Sequence, residues 1–149
     1  MAVQINSKSP GFTVIELLVT ISVAGLLMSI AIPSYFRTLP GLRLGDAARQ
    51  VATDLQSVRM KAIAQNIPYQ VTFSSNSYIL QKCNGACIAD SGNMALPDGI
   101  TVTGSSPTQF QARGNVPADI TITLSNGTTQ KWVCVRVAGR VRVQDVVCS

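Results

Sequence analysis

Two arginines one residue apart, in Gly139-Arg140-Val141-Arg142, have the types and spacing best suited in this chain to bind a ligand. A guanidinium stays charged at physiological pH and offers paired donors that match phosphate. A glycine ahead of them can take positive φ in a turn. Strand alternation then sends Arg140 and Arg142 to one side and Val141 and Val143 to the other. Two strand residues advance about 6.6 Å, close to two phosphate steps of about 3.4 Å along one DNA strand. The pair therefore permits phosphate binding, and it equally suits solvation of an exposed strand or protection of a sheet edge. Arg113, Lys131 and Arg136 fall in the same part of the chain, against Asp119 and Asp145. A basic tip results if they converge.

Catalytic constellations are absent from the sequence. The chain has no histidine, which excludes a histidine-dependent triad or a histidine-liganded metal. Asp90, Asp98, Asp119 and Asp145 stand singly in turn-like or strand-edge contexts, where such acids usually cap turns. Gly92 and Gly99 lack the preceding strand and following helix of a phosphate-cradling loop. No catalytic residue, metal or cofactor is implied, and a structural or binding role remains.

Cys83, Cys87, Cys134 and Cys148 make an even count and permit three pairings. If the chain beyond its apolar run lies in an oxidising compartment, two disulfides are the expected use. The pairing preferred here is Cys83 with Cys87 and Cys134 with Cys148, each local in sequence. A zinc site is the alternative, and the wide separation of Cys134 and Cys148 argues against it.

These residues need elements to position them. The chain has 149 residues, a formal charge of +5 and 13% charged residues, and its mean hydropathy of +0.28 is raised by the N-terminal run. From Phe12 to Ile32 nearly every residue is apolar or small, and about twenty such residues in a helix span roughly 30 Å of hydrocarbon. Glu16 interrupts the run, at a cost of about 2.5–3.5 kcal/mol at a bilayer centre, so it implies a partner. A cut after Gly11 would supply one, the new ammonium of Phe12. A secretory signal peptide cut after Ser29-Ile30-Ala31 is a second reading, opposed by the length of the run and by Glu16. A simple anchor, with Glu16 complementing the helix N-terminus, leaves the Gly-aromatic junction unexplained.

After a short polar leader and this run, Pro33 is expected to kink or open the helix, and Pro40-Gly41 to break it more strongly. Helix is expected to resume with Asp46 as N-cap. Leu44, Ala48, Val51, Leu55, Val58 and Ala62 form an apolar stripe at spacings of four and three. Arg49, Asp54, Arg59 and Lys61 fall off it and read as a solvated face. Beyond Asn66 and Pro68 the period becomes that of strands. Tyr69 to Phe73 and Tyr78 to Lys82 read as a hairpin, and Cys83 to Cys87 as a turn tied at its base. Residues 88–113 read as loop with short strands around Ile100 to Thr103 and Thr108 to Gln111. Ile120 to Leu124, Gln130 to Val137 and Arg140 to Val147 read as strands joined by turns at Ser125-Asn126-Gly127 and Ala138-Gly139. Val133, Val135 and Val137 are expected to face the helix, with Trp132, Cys134 and Arg136 on the other side.

The stretch GFTVIELLVTISVAGLLMSIAIPSYF resembles the N-terminal signature of type IV prepilins and type II secretion pseudopilins. The shared features are a polar leader with Lys8, a glycine before an aromatic, a glutamate five residues after that glycine, and a proline near the end of the run. Leu44 to Phe73 and Val135 to Val143 look like the GspH/FimT branch of minor pilins, and VAGRVRV resembles the Gly-Arg-x-Arg ending of FimT-type minor pilins linked to DNA uptake. The resemblance implies an α+β, pilin-like fold, with a long N-terminal helix packed on an antiparallel β-rich domain. The corresponding divisions are a leader at 1–11, a membrane-spanning helix at 12–33, an amphipathic helix at 34–66 and a β-rich domain at 67–149, periplasmic before assembly and on the pilus afterwards.

It also implies that a prepilin peptidase of the inner membrane cuts between Gly11 and Phe12 and methylates the Phe12 amine. Glu16 would then meet the Phe12 amine of a neighbouring pilin during assembly. Arg140 and Arg142, following Gly139, would be the principal contacts to double-stranded DNA, near a Cys134–Cys148 disulfide. Lys131 and Arg136 would support them, on charge and alternation alone. Other pilins, major and minor, are the implied protein partners. The rival expectation is a structural minor pilin or type II pseudopilin that primes or caps a filament without binding DNA.

Overall fold

The computed structural model describes residues 11–104 and 107–148. The chain divides into two compact units, one ending at Thr38 and the other beginning at Leu39, and one helix, α1 (Val14–Gln65), contributes to both. The leader as far as Pro10, Lys8 included, lies outside the described residues.

In the first unit Thr13 caps the helix. Its hydroxyl accepts the Glu16 amide at 3.3 Å, and its carbonyl accepts the amides of Glu16 and Leu17 at 3.1 Å each. Thr13 and Glu16 thus have the spacing of a capping box, with the carboxylate in the first turn where the helix dipole favours it. Val14–Phe36 is 23 residues of mean hydropathy 2.3 with no burial. At 1.5 Å per residue it extends about 34 Å, enough to cross a bilayer's hydrocarbon. Thr20, Ser22 and Ser29 turn their hydroxyls onto the carbonyls of Leu17, Leu18 and Leu26 at 2.7–2.8 Å. These polar side chains therefore place no unsatisfied donor on the apolar surface.

The break expected at Pro40-Gly41 does not occur. α1 runs through Pro33, Pro40 and Gly41. An interior proline lacks one amide donor and costs about 3 kcal/mol, but its φ is helical and the bonds on either side survive. In the second unit Asn126 donates from Nδ2 to the Pro40 carbonyl at 3.3 Å, and Leu44, one turn on, is buried. Contacts beyond the helix itself therefore hold this stretch. Asp46 is consequently not an N-cap but an exposed interior residue 3.6 Å from Arg49.

The apolar stripe is buried at every position expected, from Leu44 to Ala62, with Ala47 and Ala52 beside it. α1 ends where Asn66 takes φ 53°. The Asn66 amide donates to the Ile63 carbonyl and the Ile67 amide to that of Ala62, closing the last turn as a Schellman motif before Pro68.

The strands form two antiparallel sheets. In the first, β1 (Tyr69–Ser74) and β2 (Ser77–Asn84) make the expected hairpin, with Phe73 opposite Tyr78. The segment expected as loop adds β3 (Ala86–Ala89) and β4 (Met94–Ala95), both paired with β2. β5 (Thr101–Gly104) belongs to the second sheet, while β6 (Thr108–Phe110) pairs with β1. The second sheet has the order β5-β7-β8-β9, its later strands being β7 (Ile120–Ser125), β8 (Gln130–Val135) and β9 (Val141–Gln144). Tyr69, Val71, Phe110, Ile122, Leu124, Val133 and Val135 join the helix stripe in one core. Both local disulfides, Cys83–Cys87 and Cys134–Cys148, are formed, and no described cysteine is left as a thiol for zinc.

Candidate nucleic-acid interface

The β8–β9 ladder pairs Trp132 with Gln144, Val133 with Val143, Cys134 with Arg142 and Val135 with Val141. Cross-strand partners share a face, so Cys134 and Arg142 lie together on one side while Val133, Val135 and Val141 are buried on the other. The expected alternation holds for the arginines, which are exposed on either side of buried Val141. It fails for Val137, which is 49% exposed. β8 ends at Val135, and Val137 belongs to the turn rather than to the strand.

That turn is built from Arg136 to Arg140. The Gly139 amide donates to the Arg136 carbonyl at 2.7 Å, and the Arg136 amide to the Arg140 carbonyl at 3.0 Å. Gly139 has φ 76°, the left-handed residue that closes a three-residue hairpin loop. A Cβ at Gly139 would also lie 1.9 Å from the Gly114 carbonyl oxygen, so glycine is required twice over.

A second turn of the same kind adjoins it. In Gln111-Ala112-Arg113-Gly114-Asn115 the Gly114 amide donates to Gln111 at 2.7 Å and the Gln111 amide to Asn115 at 2.8 Å, with Gly114 at φ 78°. The Val116 amide donates to the Val137 carbonyl at 3.0 Å and ties the two turns together. From α1, Arg59 donates through Nε to the Gly114 carbonyl at 3.0 Å and through Nη2 to the Ala138 carbonyl at 3.2 Å.

The cations of this region divide into two kinds. Arg136 meets Asp119 at 2.7 Å, and the other oxygen of that carboxylate accepts the Val137 amide, also at 2.7 Å. The Arg136 guanidinium first, and then the Val137 amide, hold the Asp119 carboxyl below its ordinary value. Lys131 is paired with Asp145. Among the described residues Arg113, Arg140 and Arg142 have no carboxylate partner. A cleft of about 220 Å³ is lined by Cys134, Arg136, Arg140, Arg142 and Gln144, so Arg136 joins the two principal arginines there. Lys131 lines a different cavity, with Gly45, Arg49 and Asp145.

Gly11 and Phe12 are exposed, immediately ahead of the Thr13 cap. The sequence reading missed the partners of Arg59 and Asp119 and did not single out Gly114. Three of the four acids that stand singly in sequence hold cations: Asp90 meets Lys61 at 2.8 Å, alongside the Asp119 and Asp145 pairs. The supposed solvated face of α1 is likewise used in part, since Asp54 accepts the Tyr78 hydroxyl and Arg59 holds the turns.

A family model described as type II transport protein GspH matches residues 47–139, and one for the prokaryotic N-terminal methylation motif matches residues 6–32. The first ends at Gly139, before Arg140 and Arg142. The pilin-like protein PilA1 of Thermus thermophilus is 32% identical over 155 residues, covering 90% of this chain and 97% of its own. Among solved structures, the type IV minor pilin FimU of Pseudomonas aeruginosa aligns with a TM-score of 0.58 at 18% identity, over 68% of this chain and 87% of its own. The minor pseudopilin EpsH of the Vibrio cholerae type 2 secretion system aligns at 0.60 and 12%, over 69% and 97%. At these identities the structural likenesses establish the fold.

Proposed function

The chain belongs to the GspH branch of the type IV minor pilins and pseudopilins, and from that premise we propose that it binds double-stranded DNA through Arg140 and Arg142 and serves DNA uptake. The observation that carries this reading is the contrast between the cations. Lys131 and Arg136 are engaged by carboxylates, while among the described residues Arg140 and Arg142 have no carboxylate partner and are exposed on either side of buried Val141. Among the described residues neither guanidinium has an acidic partner to give up before it meets a phosphate. Contacts of this kind track the backbone, so sequence preference is weak and affinity falls with salt. Arg136 supports them from the same cleft, and Lys131 contributes only general charge.

The apolar helix and the family support membrane anchoring and incorporation into a pilus. Cleavage between Gly11 and Phe12, methylation of the Phe12 amine and the pairing of that amine with Glu16 of a neighbouring subunit complete the proposed assembly route. The match of the N-terminal methylation motif to residues 6–32 supports it. The test is titration of the full-length chain in neutral detergent with duplexes of two unrelated sequences and with a single strand. Equal binding of both duplexes, with no preference for the single strand, agrees with the reading. Absence of binding at low salt overturns it.

The structural pseudopilin is the second reading, favoured by the description of the matching family. In that reading the two arginines protect β9, an edge strand.

A further inference from the structure

Arg59 is the one residue of α1 seen to donate to the carbonyls of both basic turns, at Gly114 and Ala138. We infer that Arg59 is the positioning residue of the interface, locking the Gly114 and Gly139 turns together so that Arg140 is held ready for phosphate. The inference rests on the DNA-binding reading above, since it concerns the same arginines.

The geometry leaves little slack. Gly139 packs so closely on the Gly114 carbonyl that no side chain fits between them, and the Val116–Val137 bond joins the same two loops. The Ala138 and Gly114 carbonyls are both drawn toward a single guanidinium. A guanidinium can span them because its donors form a fixed planar fork, which a lysine ammonium cannot reproduce. Arg59 is half-buried and two of its donors are used, so it acts through the turn rather than on DNA. Without it the turn remains tied by Gly139 and Asp119 but loses its tether to the helix, and binding must then order it. Pre-organisation of this sort appears in affinity, while the number of phosphates neutralised is unchanged.

The experiment compares full-length wild type with Arg59→Gln, Arg59→Lys, and the Arg140→Ala, Arg142→Ala double variant. Amide hydrogen exchange of Val116 and Gly139 is read first, without DNA. Duplex affinity is then read across a salt series. Both Arg59 variants are expected to exchange at these amides about tenfold faster while the core strands stay protected. They are also expected to bind duplex about three- to tenfold more weakly with the wild-type salt slope. Loss of a direct contact instead lowers the slope by about one per residue. Arg59→Lys keeps the charge, so wild-type affinity for that variant would reduce Arg59 to its charge and overturn the inference. Unchanged exchange in both variants would overturn it as well. If wild type itself fails to bind, the role toward DNA falls with the DNA reading, and the exchange data alone decide whether the clamp exists.

Discussion

Arg142 stands directly across the β8–β9 ladder from Cys134, which is bonded to Cys148 fourteen residues further on. The disulfide closes a loop that contains the turn and both arginines. Closing about 15 residues removes roughly 3 kcal/mol of unfolded-state freedom. The Cys134→Ala, Cys148→Ala variant is therefore expected to lose about that much stability in thermal or denaturant unfolding. Its duplex affinity is expected to fall too, because β9 is an edge strand held to the sheet on one side only.

Two glycines with similar backbones separate strain from collision. Gly127 has φ 86° with open space around it, whereas Gly139 has φ 76° with the Gly114 oxygen in the way. Gly127→Ala is expected to cost about 1–2 kcal/mol, the price of the left-handed conformation alone. Gly139→Ala must also displace a backbone carbonyl, and is expected to cost clearly more and to weaken DNA binding. Equal losses of stability in the two variants would contradict the contact between the turns.

Much of this arrangement was legible because period reports burial. The stripe from Leu44 to Ala62, the β1–β2 hairpin, both local disulfides and the alternation of Arg140 with Val141 all follow from spacing. What spacing does not report is long-range partnership. Arg59 lies 55 residues from Gly114 and 79 from Ala138, and carbonyls carry no signature in a sequence. Asp119 looked like a turn cap until the fold brought Arg136 to it. Pro40-Gly41 reads as a local breaker for a similar reason, since contacts from Asn126 and the core outweigh it only in the fold.

Asp119 ties stability to pH. Its folded-state pKa is below the ordinary 3.8, chiefly because of Arg136. The unfolded chain therefore binds this proton more readily than the folded one. The stabilisation is present above about pH 3.8 and is lost as pH falls through the folded value. Asp119→Asn is expected to be less stable than wild type at neutral pH, with the gap narrowing in acid. The same variant removes a negative charge beside the cleft, and is expected to bind duplex more tightly at low salt.

The mature N-terminus separates the processing routes. Mass spectrometry of protein recovered from membranes or filaments is expected to show a chain beginning at Phe12 and carrying one methyl group on its amine. A chain beginning at Ile32 would instead show signal-peptide cleavage after Ala31. An uncut chain would lack the Phe12 ammonium and leave Glu16 in the first turn of α1, where only the helix dipole favours it.

The most direct test of the DNA-binding account is the salt dependence of duplex binding by the folded full-length chain, beside the Arg140→Ala, Arg142→Ala variant. The account predicts that wild-type affinity falls steeply with salt, and that the variant loses most of its binding and about two units of slope. Equal binding and equal slope in the two proteins would contradict it and move the site elsewhere, with Arg113 the next residue to replace.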